Sequence, residues 1–140
     1  MTASSSERPY IELSLSDRED PDLVTLSVRA RSGPFRGESE VYIGPVQLKK
    51  LKNSLEQYPI IFDDAHIEGI FPLDTVLISI LPYDARGYLL LTADLSSENE
   101  PRQTASVRFL VEYEVVAKFS AQLGRLIAGD LSTARLEGVL

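Results

Sequence analysis

The sequence predicts an α+β domain with a mostly antiparallel sheet, in the order β-β-β-α-β-β-β-β-α, and two helices packed on one face. Three observations predict it. Several stretches alternate apolar and polar residues with a period of two, the pattern of a strand with one buried face. Two stretches carry apolar residues at spacings of three and four, the stripe of an amphipathic helix. Successive strands are joined by short connections, which favour antiparallel neighbours.

From Tyr10 onward, Ile11, Leu13 and Leu15 alternate with Glu12, Ser14 and Ser16, which makes the first strand. Asp17 to Asp22 reads as a turn rich in short polar side chains, with Pro21 inside it. Alternation resumes in Val24, Leu26, Val28 and Ala30, so the two segments form a hairpin. Ser32-Gly33-Pro34 turns the chain into a third strand, Phe35 to Ile43, where Gly37 suggests a bulge or a sharp bend. Gly44-Pro45 opens a helix, because proline is tolerated in the first helical position. Leu48, Leu51, Leu55 and Tyr58 form its apolar stripe, Lys49, Lys50 and Lys52 lie largely off it, and Pro59 stops it.

Ile60 to Asp64 reads as a connector and His66 to Phe71 as a short strand. Val76 to Leu81 and Tyr88 to Leu95 form a second hairpin about the turn Pro82 to Gly87. Thr104 to Tyr113 is the last expected strand, with Val107, Phe109 and Val111 on one face. Val116, Phe119, Leu123 and Leu126 then trace a helix that Gly129 is placed to cap. Gly124 lowers the propensity of that helix and allows it to approach the sheet closely. The later strands also carry Leu77, Leu81, Leu90 and Leu110 at positions of opposite parity, which a solvated face does not need. Either the first three strands fold over this second apolar face or another protein covers it.

The 140 residues suit one domain, 10–140, behind a polar leader, 1–9, that is expected to be flexible. A hydrophobic fraction of 44% and a charged fraction of 25% are those of a globular chain. No cysteine is present, so neither a disulfide framework nor a thiolate metal site can form. The start has no basic-plus-apolar signal and no stretch is long enough to span a bilayer, so a cytoplasmic protein without a membrane partner is expected. The formal net charge of −7 opposes binding to phosphate backbones and favours a basic protein partner.

Catalytic patterns are missing. His66 is the only histidine, too few nitrogen ligands for a transition-metal site even with Asp63 and Asp64 beside it. No Gly-x-Ser-x-Gly elbow and no glycine-rich phosphate loop occurs. Asp17, Glu19, Asp20 and Asp22 resemble a calcium loop only superficially, because the central glycine and the twelfth-position glutamate are absent. No catalytic, cofactor-binding or metal-binding residue is therefore assigned and no cofactor is expected. The candidate partner-binding residues are Asp17, Glu19, Asp20, Asp22, Asp63 and Asp64.

The stretch Phe35-Arg36-Gly37-Glu38, Val41-Tyr42-Ile43, Leu48, Leu51, Leu55 resembles the small WapI-type bacterial immunity proteins and their relatives. Asp84-Ala85-Arg86-Gly87 leading into Tyr88 to Leu91, and the closing segment with Phe119, Leu123 and Leu126, extend the likeness. The resemblance implies a non-catalytic protein that binds and neutralises a cognate toxin domain, many of which resemble basic nucleases. The alternative is an assembly module that forms a homo-oligomer, for instance a homodimer, through the second apolar face.

Overall fold

The computed structural model describes residues 8–20, 23–56, 62–68, 74–97 and 101–139. Among these it holds eight strands and two helices. In chain order they are β1 (Tyr10–Asp20), β2 (Leu23–Ser32), β3 (Phe35–Ile43), α1 (Pro45–Leu55), β4 (Phe62–Glu68), β5 (Asp74–Pro82), β6 (Tyr88–Ser97), β7 (Gln103–Glu112), α2 (Tyr113–Ala128) and β8 (Thr133–Glu137). The α+β class and the antiparallel pairing stand. No described helix is long and apolar enough to cross a membrane.

The strands divide into two four-stranded antiparallel sheets, β3-β2-β1-β8 and β4-β5-β6-β7, where a single mostly antiparallel sheet was expected. The break falls at α1, which carries the chain from β3, at one edge of the first sheet, to β4, at one edge of the second. The extra strand, β8, returns after α2 and pairs with β1, with Leu13 opposite Ala134 and Ile11 opposite Leu136. Its five residues bring only two side chains inward, too short an alternation to stand out in the sequence.

The two inner faces share one core. Ile11, Leu13, Leu26 and Val28 from the first sheet are buried, as are Val76, Ile80, Leu91 and Val107 from the second. The helices do not lie on a face of one sheet. They pack against each other, α2 runs along β8 and β7, and α1 touches β4. Leu48, Leu51 and Leu55 of α1 and Val116, Phe119, Leu123 and Leu126 of α2 join the same core. Both stripes are therefore as expected, apart from Tyr58, which like Pro59 lies outside the described residues. Helix α1 ends at Leu55, and Gly129 caps α2 with a left-handed φ of 89°.

Two glycines mark close approaches between layers. Gly37 makes no bulge, for β2 and β3 keep register from Val24–Ile43 to Ser32–Phe35. A β-carbon there would lie 2.8 Å from Ala105 Cβ and 3.0 Å from Leu95 Cδ1, so Gly37 is where the sheets touch. Gly138 is similar, with a β-carbon position 2.4 Å from Phe109 Cδ1 and 2.7 Å from the Leu110 carbonyl. Just there, Gly138 N–H donates to Pro9 O and Val139 N–H donates to Leu110 O, each at 2.8 Å. The C-terminal segment thus joins the β1/β8 side of one sheet to the β7 edge of the other. Arg8 adds a bond from Nη1 to Gly138 O at 3.3 Å, so residues 8 and 9 of the expected leader are tied down. Residues 1–7 lie outside the described residues. Gly124 faces α1 instead of a sheet, its β-carbon position 2.8 Å from Lys52 Cε. Lys52 therefore belongs to the helix–helix contact, while Lys49 and Lys50 stay exposed.

Candidate functional site

Sheet A, the first sheet, presents an outer face made of a ladder of opposite charges. Glu38, Arg29, Glu12 and Arg135 stand directly opposite one another across β3, β2, β1 and β8. Arg29 pairs with Glu38, and Arg135 pairs with Glu12 at 3.2 Å. The Arg135 guanidinium also lies 3.9 Å above the Tyr10 ring. On the next rung Ser27 donates to Glu40 at 3.1 Å and the Ser14 and Thr133 hydroxyls are bonded at 3.1 Å. On these two rungs the polar groups have lateral neighbours of complementary type, whereas on the rung beside them Arg31 stands opposite Arg36.

Sheet B, the second sheet, has a different outer face. Leu81 stands opposite Leu90, and Leu90 opposite Leu110, so three leucines form one row across β5, β6 and β7. All three are half-buried and lie outside the core cluster. The row beyond them places Tyr88 opposite Glu112, and Tyr83 N–H bonds to Tyr88 O at 2.9 Å, which sets Tyr83 beside it. Tyr83 is 55% exposed. The row on the other side is Ser79, Thr92 and Arg108. Leu77 lies one row further, opposite Asp94. The parity argument thus found the residues of this face. The first three strands cover the opposite face, the one with Val76, Ile78 and Leu91, and not this one.

The turn at the end of the β5–β6 hairpin is fixed by Asp84. Its carboxylate accepts the Arg86 N–H at 3.0 Å, the Tyr88 N–H at 3.4 Å and the Arg86 guanidinium at 2.9 Å. Partial removal of water pushes the Asp84 carboxyl up, but the Arg86 side chain, the two backbone N–H bonds and the Arg86 charge together outweigh this. The group is held below its ordinary value. Arg86 also lies 5.5 Å from the Tyr88 ring centre, so the turn leans on the aromatic row.

Five of the six acidic candidates fall on described strands, in two groups on different sheets. Asp17, Glu19 and Asp20 fall within the last four residues of β1, which continues as strand where a turn was expected. Between Ser16 and Asp20 the β1–β2 register shifts, so this acidic end is an irregular stretch of strand. Asp63 and Asp64 lie on β4 at a second shift, two residues set against Ser79 alone. Asp22 lies outside the described residues, as do the side chains of the other five. His66 is opposite Leu77 by backbone register, on a strand that starts at Phe62 and ends at Glu68, where His66 to Phe71 was expected.

Among the described residues no three His, Cys, Asp or Glu side chains group to hold a metal ion. An open cavity of about 390 Å³ at the β7–β8 seam is lined by Arg8, Glu112, Lys118, Arg135 and Glu137 among others. Its lining carries charges of both signs, and Arg135 there is engaged by Glu12 and Glu137. No protein-family model matches this chain, and no curated protein matches it closely enough to count as a relative.

Proposed function

We propose that this chain is a non-catalytic binding protein that engages another protein chain through the outer face of sheet B. The observation that carries the reading is the in-register row Leu81–Leu90–Leu110 with the exposed Tyr83 at its border. Apolar surface of this kind in a contiguous patch, rimmed by charged residues, is a mark of an interaction site. Tyrosine is also favoured at such sites, since its ring buries area while its hydroxyl stays hydrogen-bonded. The test is the mass of the protein in solution, alone and mixed with the product of the neighbouring gene. Association is expected in at least one case and is abolished by Leu90→Lys. A chain that stays single in both, or a variant that associates unchanged, would refute the reading.

A finer reading, that the bound protein is a basic toxin domain and the chain its immunity protein, draws on other features. These are the net charge of −7, the acidic end of β1 with Asp17, Glu19 and Asp20, and the resemblance to WapI-type immunity proteins. Attraction between unlike charges speeds encounter and is screened by salt. The association rate with such a toxin domain is expected to fall as salt rises, and to fall when Asp17, Glu19, Asp20 and Asp22 are replaced together by their amides. A rate indifferent to both changes sinks this finer reading.

A further inference from the structure

We infer that the open face of sheet B is covered by a second copy of this chain, related by a twofold axis running between the two sheets along the leucine row. The inference rests on the binding-face reading above and names its occupant. A twofold interface brings the same patch on both chains together, so the patch must complement itself. Two sheets stacked face to face lie about 10 Å apart with strands roughly aligned.

Rotation about the leucine row lays each leucine on its own copy. It also lays the row on one side of the leucines over the row on the other side. Glu112 then faces Arg108 of the second chain, and Arg108 faces its Glu112, because the two flank Leu110 on the same strand. Both are exposed, with side chains long enough to meet across such a gap. Tyr88 falls over Thr92 and Tyr83 over Ser79, so the large rings meet the small side chains of the opposing row. On β5, β6 and β7 each position in the two rows thus meets its complement, charge on opposite charge and large on small.

The other in-plane axis, along β6, fails this test. It places Glu112 over Tyr83 and Arg108 over Ser79, and leaves both charges without a counterpart. The pattern of the face therefore suits a second copy in the first of these two orientations. The like net charges of two copies, −7 each, oppose approach at long range. At physiological ionic strength that repulsion is screened beyond about 8 Å, whereas contacts within the interface are much less affected.

The experiment is sedimentation of the full chain at physiological salt, from micromolar to hundreds of micromolar concentration, with circular dichroism to verify folding. The unaltered chain is expected to reach the mass of two copies. Arg108→Glu places glutamate against Glu112 and Glu112→Arg places arginine against Arg108, so each single variant is expected to sediment as one chain. The double variant R108E/E112R exchanges the charges and is expected to restore the dimer. An unaltered chain that stays single across the range overturns the inference. So does a dimer insensitive to both single changes, or a double variant that remains single while folded. Association with the neighbouring gene's product but not with itself overturns the second copy and leaves the binding face standing, so the two failures are distinguishable.

Discussion

The outer faces of sheet A and sheet B are built from strands of similar length, with the same alternation and the same antiparallel pairing, yet they end in opposite surfaces. On the first, Glu38, Arg29, Glu12 and Arg135 alternate in sign along one rung and satisfy one another sideways. On the second, the corresponding central rung is Leu81, Leu90 and Leu110, which are half-buried and lie outside the core cluster. The difference teaches that a polar outer face is not a by-product of strand alternation. It has to be encoded residue by residue, and where it is not, the sheet is prepared for a cover.

The largest expected effect separates inner from outer positions on a single strand. Leu91 is fully buried and its neighbour Leu90 is not. Leu91→Ala is expected to cost about 2–5 kcal/mol in chemical denaturation, the range for a buried leucine that leaves a cavity. Leu90→Ala, measured where the chain is single, is expected to cost well under half of that. Equal costs would mean that Leu90 also belongs to the core and that the open face is not open.

Gly37→Ala tests the contact that makes the inner faces inner. Its added methyl meets Ala105 Cβ and Leu95, side chains of the facing sheet, and overpacking of this kind costs about 1–3 kcal/mol. A neutral result would show that the sheets separate there without penalty.

A smaller effect is expected on the charged ladder. Arg29→Glu sets three glutamates side by side, Glu38, the new one and Glu12. Like charges directly opposite destabilise a sheet, but Arg29 and Glu38 are more than half exposed, so the cost is expected at or below about 1 kcal/mol. It should shrink as salt is added. A loss unchanged by salt would mean that the ladder contributes through packing and not through charge.

The smallest effect concerns Asp84 beside the leucine face. Its folded carboxyl titrates below its unfolded one, so it contributes stability above the unfolded value and loses it as pH falls through the folded one. Asp84→Asn keeps a hydrogen-bonding side chain and removes the charge. Unfolding monitored against pH should show a constant small gap between the two proteins near neutrality. The gap is expected to close below about pH 4, where carboxylates protonate. A gap that persists in acid would assign Asp84's role to hydrogen-bond geometry alone.

Much of this was legible in the residues. Period-two alternation found every strand of the two hairpins, and the Leu48–Leu51–Leu55 and Val116–Phe119–Leu123–Leu126 spacings found both helices. Leu81, Leu90 and Leu110 were recognisable as surplus apolar residues because of their parity. Their alignment into a row was not, because it depends on two registers that only pairing sets. Gly37 and Gly124 were visible as glycines in unusual places, but their reasons lie with Ala105 and Lys52, far away in the chain. The acidic residues at the end of β1 looked like a turn because Asp and Pro cluster there. The strand continues to Asp20 because β2 is present to pair with it.

By itself the sequence determined the local elements, since periodicity and turn chemistry act within a few residues. It also determined which side chains seek burial. Only the tertiary structure decided that the strands form two sheets, that a five-residue strand closes the first of them, and which of the two apolar faces of β5, β6 and β7 is covered. The physical reason is that an apolar face records a need for a cover and carries no address for it. The cover is chosen by chain connectivity and close packing, which brought the first sheet and both helices to one side and left the leucine row outside the core cluster.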